Sequence, residues 1–195
     1  METNILYKDK YISIKNIIDD DLNYTYVHDE HSKSYAIAIL PFRYIGDAVQ
    51  FLLRDEIVPP WNLGRIIIDD DLYAKKTTSI TGGVDSDNIS VDVVFNKAKD
   101  ELLEETGYEV DIANLIYLDY CHISKKGDEV VFLFAVDLTG LTPQEASGDG
   151  TYLESLAKSF WCNHIHDSVD PLTYVLYYRL MKFFETKFNK KSVQL

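Results

Sequence analysis

The sequence predicts an α/β fold: a mixed sheet sandwiched between helices, with antiparallel strands added at its N-terminus. Three observations predict it. Two continuous apolar runs, at 110–120 and VVFLFAVD at 130–137, read as strands of a sheet buried on both faces, and SYAIAILPF at 34–42 reads as a further strand. A stretch starting near Ser90 and another starting at Pro171 repeat their apolar residues at helical period. At 195 residues with 46% hydrophobic composition, the chain is long enough for one domain with a substantial core.

Taken in order, residues 5–28 alternate in places (Tyr11, Ile12, Ser13, Ile14) and read as one or two strands of an N-terminal sheet. The run at 34–42 turns at 45–47 and returns as AVQFLL at 48–53, a hairpin. A long connection, 56–78, holds Pro59, Pro60, Trp61 and the acidic run Asp69, Asp70, Asp71. Loops of that length tend to carry function or to move. Residues 79–82 form a short strand ending in two glycines, Gly82 and Gly83. Ser90 then caps a helix with Asp92 in its first turn, and Gly107 stands where a C-terminal glycine belongs. Residues 110–120 and 130–137 read as strands joined by a turn at 125–128. A turn-rich loop at 138–153 leads into YLESLAKSFW at 152–161, read as a strand. The chain closes on an amphipathic helix over 171–188, capped by Asp170 with Pro171 at its first position, and a basic tail follows.

Composition narrows the function. A formal charge of −13 argues against general affinity for nucleic-acid backbone, though not against one nucleotide held through a metal. Cys121 and Cys162 are too few and too far apart for a disulfide scaffold or a thiolate metal site, so both read as reduced thiols of a cytoplasmic protein. The N-terminus shows no secretory leader, and no apolar run suits a membrane span. The Ile-, Asn-, Lys-, Asp- and Tyr-rich composition suits an AT-rich genome, bacterial or phage.

The chemistry concentrates on the helix after Ser90. At about 100° per residue, Val91, Val94, Phe95, Ala98 and Leu102 form one apolar stripe. Glu105 falls inside it, Glu101 on its edge and Glu104 a little further round, while Lys99 and Asp100 lie opposite. Burying carboxylates in a helix seam is costly without a compensating cation. Two compensations are open: a hard divalent ion such as Mg²⁺, which prefers oxygen ligands, or pairing with Lys97, Lys99 or another basic residue.

The run DELLEETGY at 100–108, with Gly82 and Gly83 upstream, resembles the box of the Nudix hydrolase family, G-x5-E-x7-R-E-U-x-E-E-x-G-U with U apolar. Glu101, Leu102, Glu104, Glu105, Gly107 and Tyr108 fit it. Asp100 stands at the arginine position and Asp92 at the first glutamate position, and the intervening loop is three residues longer than the pattern. The resemblance implies a Nudix-type α/β/α sandwich over 34–188, preceded by N-terminal strands at 1–33 and followed by a tail at 189–195. It implies Mg²⁺ or Mn²⁺ held by Glu101, Glu105 and Glu104, with the backbone near Gly83 (Thr81 or Gly82) as a further contact. In relatives that cleave ADP-ribose, an arginine after the second hairpin strand reaches the substrate. Here it is Arg54, whose other reading is a pair with Asp55 or Glu56. Trp61 is read either as a purine platform or as a plug holding its loop to the core. A base from the late acidic loop falls to Glu154, with Glu145 and Asp149 as competitors that no spacing rule separates. His122 is read as a base or as a structural histidine.

These residues lead to the expectation of metal-assisted hydrolysis of a nucleoside diphosphate linked to X, ADP-ribose or an ADP-sugar being favoured. The alternatives are dinucleotide polyphosphates, NADH, nucleoside triphosphates or capped RNA, and a Nudix-fold sensor or interaction domain that binds without turnover. The family's dimers share the N-terminal sheet, and the apolar content here permits a homodimer.

Overall fold

The computed structural model describes residues 1–62, 74–148 and 152–192. Two sheets organise it. The first is an antiparallel meander of β1 (Glu2–Lys8), β2 (Ile12–Asp19) and β3 (Leu22–Asp29), so the 5–28 stretch makes three strands instead of one or two. The second contains β4 (Tyr35–Ile45), β5 (Ala48–Ile57), β6 (Lys75–Thr78), β7 (Ile80–Gly83), β8 (Leu115–Cys121), β9 (Val130–Asp137) and β10 (Lys158–Cys162). Its order is β10-β5-β4-β9-β8, with β6 on β5 and β7 on β4. β4 and β9 run parallel and the other pairs antiparallel, so the sheet is mixed.

β4 is the sheet's centre because its side chains are apolar on both faces. Ile37 and Ile39 pack beneath helix α2 (Val91–Thr106), while Ala38, Leu40 and Phe42 pack beneath α4 (Pro171–Ser192). This is the expected sandwich. The hairpin turn falls at Gly46, φ +59°, between Ile45 and Ala48. The N-terminal sheet is tied on by the β8–β9 turn: Asp128 contacts His28 Nδ1 at 2.8 Å and accepts from Ser34 Oγ at 2.6 Å.

Several boundaries differ from the sequence reading: β5 runs on to Ile57, past the expected end at 53, and the expected connection 56–78 contains β6. β8 starts only at Leu115, because Ile112–Asn114 forms a 3-10 turn. The expected strand at 152–161 splits into a helical turn, α3 (Tyr152–Ser155), and β10, with Ser155 Oγ donating to the Tyr152 carbonyl at 2.6 Å. The closing helix runs on to Ser192, past the expected stop at 188. Asp170 caps it as expected, accepting from the backbone N–H of Leu172 and of Thr173 at 3.0 Å each. Among the described residues, no helix is long and apolar enough to cross a membrane.

Candidate active site

The site is built on the last turns of α2. Ser90 accepts from Val93 N–H at 3.3 Å to start this helix, and Gly107 ends it at φ +75°, its N–H donating to the Leu103 carbonyl. Helix C-termini carry partial negative charge, so glutamates in the final turns need compensation. Three donors from two elements supply part of it. Gln144 N–H donates to the Gly107 carbonyl at 2.8 Å, and Gly148 N–H donates to the Glu104 carbonyl at 2.9 Å. Ser159 Oγ on β10 donates to the Glu105 carbonyl at 3.2 Å. The carbonyls of Glu104 and Glu105, which the helix end leaves without intrahelical partners, are thereby satisfied.

The side chains add charge. Glu105 Oε2 lies 2.9 Å from Arg54 Nη1 on β5, and both side chains are buried. Arg54 Nε also stands 4.0 Å from Glu56 Oε2, and Thr78 Oγ1 donates to Glu56 Oε1 at 2.8 Å. Burial pushes the Glu56 carboxyl above its ordinary pKa, with Thr78 and Arg54 pulling it back and the charge of Asp170 raising it. Glu101, 9% exposed, meets Lys97 Nζ at 2.5 Å. Burial raises its pKa too, against the pull of Lys97. The Glu101 carboxyl crosses Gly82 so closely that a Cβ there would sit 2.2 Å from it. Any side chain at that point would displace the Glu101 carboxyl, while the backbone conformation itself does not call for glycine.

The expected residues divide into two groups. Glu101, Glu104, Glu105, Arg54 and the Gly82 backbone gather around the end of α2. Gly83 is exposed on β7 and packs toward Ser32. Asp92 and Asp100 are exposed. Glu145 is exposed on the loop that clasps the helix end, next to Gln144. Glu154 lies on α3, which packs against β5, but its side chain falls outside the described atoms. Asp149 and Asp69, Asp70 and Asp71 lie outside the described residues. Trp61 sits elsewhere, in the short helix α1 (Pro59–Asn62), on the wall of a cavity of about 800 Å³ with Lys76, His122 and Leu172. His122 Nδ1 contacts the Glu129 carbonyl at 3.0 Å. Sequence reasoning named Lys97 only as one of several partners for the glutamates and Glu56 only as a partner for Arg54, and it gave Thr78 no role. Lys97 was the most accessible of them, one helical turn before Glu101.

Among the described residues, no three His, Cys, Asp or Glu side chains already converge as a metal group. The donor chemistry nevertheless fits a hard divalent ion. Glu101 and Glu105 are carboxylates one turn apart, Glu104 borders them, and the Gly82 backbone lies beneath Glu101 without an intervening Cβ.

Comparison with solved structures places this architecture. The chain superposes on a C. elegans Ap4A hydrolase with TM-score 0.51 and 15% identity, covering 78% of this chain and 98% of that one. It superposes on a Listeria monocytogenes chain named as a candidate Nudix hydrolase with TM-score 0.50 and 18% identity, covering 78% and 95%. The fold is the Nudix fold. It is also shared, at TM-score 0.50 and 10% identity over 77% and 89%, by the C-terminal domain of mouse MUTYH in complex with human PCNA. The chain spans 39% of the longer T. brucei MERS1 chain of an RNA complex, and 61% of its own length, at TM-score 0.46 and 14% identity. No family model matches the sequence, and no curated protein does. On the Nudix fold, the box-like run 100–108 occupies the end of α2 and the loop after it.

Proposed function

We propose that this chain is a metal-dependent Nudix hydrolase that cleaves the phosphoanhydride of a nucleoside diphosphate linked to X, with ADP-ribose or an ADP-sugar as substrate. One observation carries this reading: the buried Glu101 lies across Gly82, with Glu105 one turn further along the same helix of a Nudix fold. Glu101, Glu105 and Glu104 would hold the ion. When bound, Mg²⁺ or Mn²⁺ supplies neutralisation of the diphosphate and activation of water. The rest falls to this chain's residues. Arg54 acts through Glu105, holding that carboxylate in place. Glu154, or else Glu145 or Asp149, takes the proton of the attacking water. Water oxygen bonds to one phosphorus as the bridging P–O bond breaks, which gives AMP and a sugar phosphate. Gly83, beside Gly82 on β7, is a further proposed substrate contact, whereas Trp61 lies on the wall of another cavity.

A second reading is a Nudix-fold sensor or interaction domain without turnover. It draws on the two cations already paired with Glu101 and Glu105, and on the fold's appearance in a protein–protein complex. Mass spectrometry separates the two readings. Protein would be incubated with ADP-ribose, ADP-glucose, NADH, diadenosine polyphosphates and nucleoside triphosphates, with Mg²⁺ or Mn²⁺. Hydrolysis predicts AMP plus ribose 5-phosphate from ADP-ribose, and a Glu105→Gln rate reduced by about 100-fold or more, beyond the usual cost of losing a group that only supports a ligand. Nucleotide binding with no product from any substrate would favour the sensor.

A further inference from the structure

The two cations on the glutamates differ in how they are held. The Arg54 side chain is 5% exposed and locked between strand and helix against Glu105. The Lys97 side chain is 31% exposed and lies on the same helix as its partner, four residues before Glu101. An arginine fork buried between elements has no other place to go. A lysine on a flexible stem at the helix surface can swing its ammonium into water.

We propose that Lys97 is a displaceable internal counter-ion that competes with the divalent ion for Glu101, given that the box holds such an ion as proposed above. The ammonium stands 2.5 Å from Glu101 Oε1. A Mg²⁺–oxygen bond requires about 2.0–2.1 Å to the same class of atom. An ammonium and a divalent ion cannot both occupy that side of one carboxylate, so the ion binds when Lys97 leaves. In the metal-free protein, Lys97 offsets the cost of burying Glu101 and lets α2 form without metal. The occupied and metal-free sites are thus two states that exclude each other, with Lys97 setting the metal concentration at which they exchange. Lys97 is therefore a positioning residue for Glu101, not a catalytic one.

Calorimetric titration of Mn²⁺ into the metal-stripped full chain tests this without reference to turnover. Lys97→Ala and Lys97→Met are both expected to bind Mn²⁺ about tenfold or more tighter than the parent, within the usual range of coupling between two binding events. Lys97→Arg keeps a cation at the carboxylate and is expected to stay near the parent affinity. Lys99→Ala removes the same charge two residues along the helix, on another face, and is expected to change affinity by less than about twofold. Thermal unfolding in EDTA should show Lys97→Ala less stable than the parent, with added Mn²⁺ closing the gap. Equal affinity in the parent and both neutral variants overturns the proposal while leaving metal-dependent hydrolysis standing. So does an equal gain in Lys99→Ala. No Mn²⁺ binding by any variant overturns both.

Discussion

Arg54 is the residue on which the candidate site turns, because it brings a full positive charge to a buried carboxylate. Arg54 and Glu105 are 5% and 9% exposed, so neither retains much water. Removing one member of such a pair strands the other in a poorly solvated setting. Arg54→Met is therefore expected to lower unfolding stability by about 3–5 kcal/mol. Adding Glu105→Leu should restore most of that loss, because an apolar pair needs no compensation. Urea denaturation of both variants measures it, and a double variant as unstable as the single one would assign the effect to something other than the pair. The sequence left Arg54 with two readings, and its pairing with Glu56 belongs to one of them. The closer partner, Glu105, lies too far along the chain for any local pattern to reveal. Asp100, conversely, could be seen to replace a basic residue, but its exposure could not be read from its neighbours.

At the scale of elements, the end of α2 is where three parts of the chain meet. Gly107 is left-handed at φ +75°, and a Cβ there would stand 2.1 Å from the Gln144 carbonyl oxygen. Gly46 is left-handed at φ +59°, with nothing within 4 Å of its would-be Cβ. Gly107→Ala is expected to cost about 2–4 kcal/mol, combining left-handed strain with crowding against backbone. Gly46→Ala should cost only about 1 kcal/mol, the strain alone. Thermal unfolding of the two variants compares them directly, and equal losses would mean that the loop at Gln144 moves freely out of the way. Much at this scale was legible. The cap at Ser90, the stop at Gly107, the hairpin at Gly46 and the cap at Asp170 are local events governed by neighbouring residues. The false strand at 152–161 shows the limit, since its first residues are helical and only those from Lys158 find β5 as a partner.

For the whole molecule, net charge is the controlling quantity. At −13, the chain is expected to repel a polyanion, an expectation that does not extend to the single nucleotide of the proposed function. Fluorescence anisotropy with a labelled duplex at physiological ionic strength should show no binding, and hence no dependence on salt of the kind that phosphate contacts produce. Micromolar, salt-sensitive binding would contradict this and point to a basic surface that net charge conceals. The N-terminal meander carries Ile5, Leu6 and Tyr11 exposed.

By itself, the sequence determined the sandwich, the box helix with its caps, and the three glutamates at its end. Apolar runs, helical period and cap chemistry act between residues close in the chain, where spacing is a sufficient guide. Tertiary structure decided the partner from across the fold, Arg54 from a strand on Glu105, and the glycine that leaves Glu101 room, whereas Lys97 meets Glu101 at the ordinary i,i+4 spacing of one helix. Charge pairing across elements depends on register and on which face of the sheet a side chain takes, and neither is written in local spacing.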